Sequence, residues 1–168
     1  LWWHEIVNID RPGQAVAVTY CPLTGSALAF DRGAIGGGEF RVSGLLYDNN
    51  LVMFDRSDDE SLWAQMAGQA ICGPAKGQGL PMVPSLETSL GRWLALHPDS
   101  EVATRDTGHD RNYDVNPYED YWRLDAPPLL ESNLGDSRRP PKGLVLGIPF
   151  GSSGGLAVPF LDLDSDAR

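Results

Sequence analysis

Between residues 15 and 83 the chain is interrupted about every ten residues by a glycine, a proline or a polar turn, and this spacing most constrains its fold. The 19 glycines and 13 prolines make up nearly a fifth of 168 residues, which argues for many turns and against a helical bundle. Between the breaks lie short apolar runs with strand character. Residues 15–20 (AVAVTY) alternate small and β-branched side chains, Pro22 to Gly25 makes a turn, and residues 26–31 return. Strand character resumes at 39–46, 51–55, 62–66, 70–72 and 80–83, with glycine-rich residues 33–38 as a flexible hairpin loop and YDNN as a turn. The expectation is a mainly β fold: an antiparallel barrel or sandwich of short strands with long polar loops.

One segment departs from this rhythm. Leu86, Leu90, Trp93, Leu94 and His97 recur at helical spacing, Ser85 or Ser89 can cap the start, and Pro98 ends the run. This predicts one amphipathic helix over about 86–97, closing one end of the sheet. From Asp106 the chain becomes polar and aromatic, a long loop with Asn116-Pro117 as a turn signal. A proline-rich connector leads to a strand in GLVLGIPF. The expected organisation is a single β-rich domain over 1–150, with a C-terminal strand and acidic tail over 151–168.

Composition narrows the function classes. At 42% hydrophobic and 21% charged the chain is ordinary globular material. A formal charge of −10 repels phosphate backbones, so nucleic acid is not an expected partner. No apolar run approaches the ~20 residues of a membrane span. The chain opens LWWHEIV, without initiator methionine or the charged stretch of a signal peptide, as a mature or trimmed piece does.

Several residues carry candidate chemistry. Cys21 stands where a strand runs out, before Pro22 and the glycine-bearing turn. It is either a nucleophile or soft-metal ligand, or a buried small residue. His4 is either the base or second metal ligand that such a thiol needs, or a structural histidine. Cys72, in an apolar stretch, reads as core. His97 suits a helix C-terminus, and His109 can line a cleft. Arg105, Asp106, Arg111, Tyr113 and Tyr118 are dense in directional hydrogen-bonding groups. They form either the recognition surface for a small ligand or protein partner, or an ion-paired loop that pins itself to the sheet. Asp31-Arg32 and Asp55-Arg56 both end strands and read as surface ion pairs worth ~0–1 kcal/mol. The GSSGG loop places Ser152 and Ser153 as the least supported nucleophiles. The five tryptophans mostly serve packing, with one or two free to wall a pocket.

WHEIVN, VAVTYCPLTGSALAFDR, VSGLLYDNNLVMFDR, SLWAQMAGQAICGP and RDTGHDRNYDVNPYEDY, in that order, resemble the family known as domain of unknown function 3179. The resemblance runs from about residue 2 to about residue 148. It implies an extracytoplasmic setting and an N-terminal edge preceding this chain. It also implies a second cysteine in many members where this chain has Thr24. With Thr24 there, a local dithiol cycle is not available, and Cys21 works alone or with His4. The resulting expectation is a catalytic or metal-binding pair of Cys21 and His4, with copper or another transition metal as cofactor. Thr24 belongs to the same candidate binding turn. The competing expectation is a non-catalytic binding or assembly module that uses the Arg105–Tyr118 loop.

Overall fold

Consecutive strands pair into antiparallel sheets, as short runs joined by tight turns must. The computed structural model describes residues 3–57, 59–130, 137–150 and 154–163. The chain divides into two compact units, Leu1–Tyr118 and Glu119–Arg168. In the first unit, β1 (Ile6–Arg11), β2 (Gln14–Cys21) and β3 (Ser26–Asp31) form a three-stranded sheet in that order. Then β4 (Phe40–Tyr47), β5 (Asn50–Asp55), β6 (Leu62–Ala64) and β7 (Gln69–Cys72) form a four-stranded sheet, again in chain order.

The two sheets share one core. Ala17, Cys21 and Phe30 of the first pack with Phe40, Leu51, Met53, Trp63 and Ala70 of the second, and Leu80 joins them. Trp63 meets Phe40 edge-on at a centroid distance of 5.7 Å. This is a sandwich rather than a barrel, and its two open sides are bridged differently. On one side the Asn8 side-chain amide both donates to and accepts from the backbone of Phe40, tying β1 to β4. On the other, residues 78–83 cross between the sheets. Gln78 O accepts from Ala70 N and Leu80 N donates to Gly68 O, then Pro81 O accepts from Asp31 N and Val83 N donates to Ala29 O. The run at 80–83 is therefore a strap that satisfies two sheet edges instead of a full strand.

Local chemistry explains the turns. The β4–β5 hairpin closes on Asp48 (φ 49°) and Asn49 (φ 62°), the two residue types that tolerate left-handed backbone best after glycine. Cys21 pairs with Ser26 across the Pro22–Gly25 turn. The glycine-rich loop is more ordered than its composition suggests. Arg32–Ile35 forms a 3-10 turn, and Arg32 is buried, donating to the carbonyls of Gly37, Gly38 and Ile9 and to the Asp10 carboxylate.

That burial corrects the expectation that the two Asp-Arg pairs are surface ion pairs. Arg32 and Asp55 are both inside. Asp55 accepts from Trp63 Nε1 at 2.7 Å, Ser57 Oγ at 2.5 Å and Ser61 N at 3.2 Å. Each buried charge is paid for by several hydrogen bonds, which a dipeptide motif cannot reveal.

The predicted helix is shorter than its apolar pattern. The helix α1 spans Leu90–Leu96, because Ser89 adopts extended backbone and its hydroxyl accepts from Arg92 N. Trp93 and Leu94 are half-buried, and no residue of α1 is fully buried. In the second unit β8 (Val145–Pro149) and β9 (Gly155–Pro159) form an antiparallel hairpin that runs into the short helix α2 (Phe160–Leu163). Lys142 Nζ lies 3.6 Å from the centre of the Tyr121 ring, and Arg139 pairs with Asp162 at 2.8 Å. Among the described residues no helix is long and apolar enough to cross a membrane.

Candidate functional site

Strand β2 decides where Cys21 points. Side chains alternate along a strand, and Ala17, Thr19 and Cys21 all face inward. Cys21 is 1% exposed, and its Sγ lies 4.0 Å from the carbonyl oxygen of Asn49. Below it a buried amide network ties the turn to the second sheet. Gln65, fully buried, donates to Thr19 Oγ1 at 2.9 Å and to Ser26 O at 3.1 Å. Its carbonyl oxygen accepts from Ser26 Oγ and Asn50 Nδ2. Asn50 Nδ2 also donates to Thr24 Oγ1 at 2.9 Å, so Thr24 spends its hydroxyl inward. Both cysteines are free. Cys72 is exposed, which corrects its reading as core: it is the last residue of β7, where the apolar run meets Gly73.

The more open constellation lies where residues 3–5 meet the 105–118 loop, entirely within the first unit. His4 Nε2 is 2.6 Å from Tyr113 Oη, across 109 residues of chain. Tyr113 Oη in turn lies 2.5 Å from Thr107 Oγ1, giving an imidazole–phenol–hydroxyl relay. His109 stacks at a tilt beside His4, with centroids 5.2 Å apart. Trp3 Nε1 donates to Asn112 O at 3.0 Å, and the Arg111 guanidinium sits 5.7 Å from the Trp3 ring centre. Tyr118 makes a long hydrogen bond, 3.4 Å, to the Glu5 carboxylate.

Backbone geometry accounts for this presentation. Glu5 has φ 54°, a left-handed conformation costing of order 1–3 kcal/mol for a residue of its kind. It is held there because Glu5 O accepts from Tyr20 N and His4 O accepts from Ile6 N. The loop is braced by its own side chains: Asn112 and Asn116 cap turns at Asp114 N and Tyr118 N, and Arg105 pairs with Asp114 at 2.6 Å on the surface. Asp106 is exposed.

Electrostatics follow from burial. Partial burial lowers the pKa of His4, and electrostatic repulsion from its neighbours, Arg111 among them, lowers it further, favouring the neutral ring. Burial raises the Glu5 carboxyl, with the Tyr118 bond partly opposing. Burial also raises the Tyr118 phenol, as do Glu5 and, more weakly, Cys21.

Among the described residues no group of three or more His, Cys, Asp or Glu side chains converges to hold a metal ion. His4 bonds to Tyr113, and Cys21 Sγ lies against the Asn49 carbonyl. The sequence pointed to His4, Arg105, Asp106, Arg111, Tyr113 and Tyr118 and gave His109 as able to line a cleft, but it did not point to Glu5 or Thr107. A positive φ at a glutamate leaves no sequence signal. The proximity of His109 to His4 depends on how the loop folds back. Ser152, Ser153 and Trp2 lie outside the described residues.

A shallow hollow of about 370 Å³ lies elsewhere on this unit, lined by Asp55, Ser57, Ser61, Ala34 and Gln78 among others. Its carboxylate, Asp55, already holds the hydrogen bonds described above. The model of the family DUF3179, protein of unknown function, matches residues 1–167. No curated protein and no solved structure matches the chain.

Proposed function

We propose, from the premise that this chain belongs to the DUF3179 family, that it is a small-ligand-binding domain whose site is the clasp between residues 3–5 and the 105–118 loop. The observation that carries this reading is the 2.6 Å contact between His4 Nε2 and Tyr113 Oη. It joins the two segments and leaves a polar, partly buried relay at the surface. Arg111, His109 and the relay offer donors and acceptors to a polar ligand, while Trp3 supplies a flat apolar wall. A screen of polar fragments by amide NMR on the whole chain tests it. Shifts are expected to concentrate at residues 3–5 and 105–118, with affinity falling about tenfold in Tyr113→Phe, as loss of one hydrogen bond to a polar ligand implies. Binding concentrated at the Asp55 hollow instead, with Tyr113→Phe silent, would remove the clasp as the site.

A second, thiol-dependent reading is supported by the position of Cys21 at the end of β2, near enough to Tyr118 to raise its phenol. It requires the structure around Cys21 to open, because Cys21 is 1% exposed. With iodoacetamide, Cys72 is expected to label first and Cys21 slowly, and Tyr118→Ala to speed Cys21 specifically. Equal rates at Cys21 in the wild type and Tyr118→Ala would end this reading.

A further inference from the structure

We infer that His4, His109 and Tyr113 form a binding site for a divalent late transition-metal ion, with two imidazoles and one phenolate as ligands. This rests on the clasp being the functional site and names the class of ligand it takes.

The ring geometry carries the inference. A metal–nitrogen distance of about 2.0 Å puts an imidazole centroid about 3.2 Å from the ion, so two imidazoles at a tetrahedral angle have centroids about 5.2 Å apart. His4 and His109 are 5.2 Å apart, with ring planes inclined by 46°. The third donor is already in place, since Tyr113 Oη lies 2.6 Å from His4 Nε2. Donor atoms around a tetrahedral ion sit about 3.3 Å apart, so that pair opens by less than ~1 Å on binding. The phenol then loses its proton to solvent as the oxygen–metal bond forms, and no electron is transferred.

Thr107 Oγ1, 2.5 Å from the phenol oxygen, donates to the resulting phenolate and orients it as an outer-shell partner. Imidazole and phenolate donors suit copper and zinc, and copper(II) binds such a set most tightly among the divalent first-row ions. Arg111, held over Trp3, sets a positive charge nearby that weakens binding.

The test titrates copper(II) into the whole chain and follows visible absorption and electron paramagnetic resonance. One equivalent is expected to bind, with a phenolate-to-copper charge-transfer band. His109→Ala and His4→Ala should each weaken binding more than about tenfold, at least what loss of an outer-shell partner costs. Tyr113→Phe should lose the band, and Arg111→Ala should tighten binding. His109 is exposed, so its substitution leaves the fold intact and makes the decisive variant. Binding indifferent to His109→Ala, or the same band in Tyr113→Phe, overturns the metal site. If fragments still bind at residues 3–5 and 105–118 in that case, the clasp stands as a ligand site without the metal.

Discussion

Trp63→Ala is expected to destabilise the first unit by about 3–5 kcal/mol, the cost typical of emptying a fully buried indole site. Trp63 is fully buried, packs edge-on against Phe40, and donates its N–H to Asp55. Removing it opens a cavity in the shared core and takes one hydrogen bond from a buried carboxylate. Urea unfolding followed by circular dichroism checks this as a fall in the midpoint at unchanged slope. Trp63→Phe weights the second loss, since it keeps most of the ring volume while deleting the donor.

The Trp63→Phe deficit is also expected to depend on pH. Burial pushes the Asp55 carboxyl up, but hydrogen bonds from Ser57, Trp63 and Ser61 outweigh it and leave the group below its ordinary value. A depressed carboxyl contributes stability that is present above the unfolded value of about 3.9 and is lost as pH falls through the folded value. The deficit should therefore hold at neutral pH and shrink below about pH 4. A deficit that stays constant into acid would show that Trp63 does not stabilise the ionised carboxylate.

Gln65→Leu is expected to cost about 2–4 kcal/mol although it preserves volume. The Gln65 amide serves Thr19, Ser26 and Asn50, and an isobutyl group in its place leaves the Ser26 carbonyl without that donor and Asn50 without one acceptor. Because the network runs on through Asn50 to Thr24, loosening should reach the turn that carries Cys21. Hydrogen exchange at residues 19–28 reads this directly, with faster exchange there than at the β6–β7 pairing expected. A variant as stable as the wild type would mean that buried water already serves these groups.

Much of the architecture was legible in the residues. Strands β2, β3, β4 and β5 lie where alternating or apolar runs between turn residues put them, because pleat period and turn chemistry are local properties. The start of α1 was less legible: Ser85 and Ser89 are equivalent caps on paper, and it is Ser89 that caps the helix, with its hydroxyl on Arg92 N. The run at 80–83 reads as a strand but serves as a strap, since it shares its hydrogen bonds between two sheet edges that come together only in the folded chain.

Cys21 draws the clearest line between the two kinds of information. Its place at the end of an alternating strand is legible in the sequence, but only the structure shows that it faces inward with Ala17 and Thr19. Its neighbour does not follow, because Asn49 reaches it from 28 residues along the chain. The same holds at the clasp. Residue types that bind polar ligands were visible at His4 and along 105–118, as was the acidic, turn-rich, mainly β character of the chain. That Tyr113, 109 residues from His4, holds its ring, that His109 stands beside it, and that Glu5 is bent into left-handed backbone to present them were decided by the tertiary structure. The physical reason is that contacts between distant segments, and the backbone strain those contacts sustain, exist only once the sheets have packed.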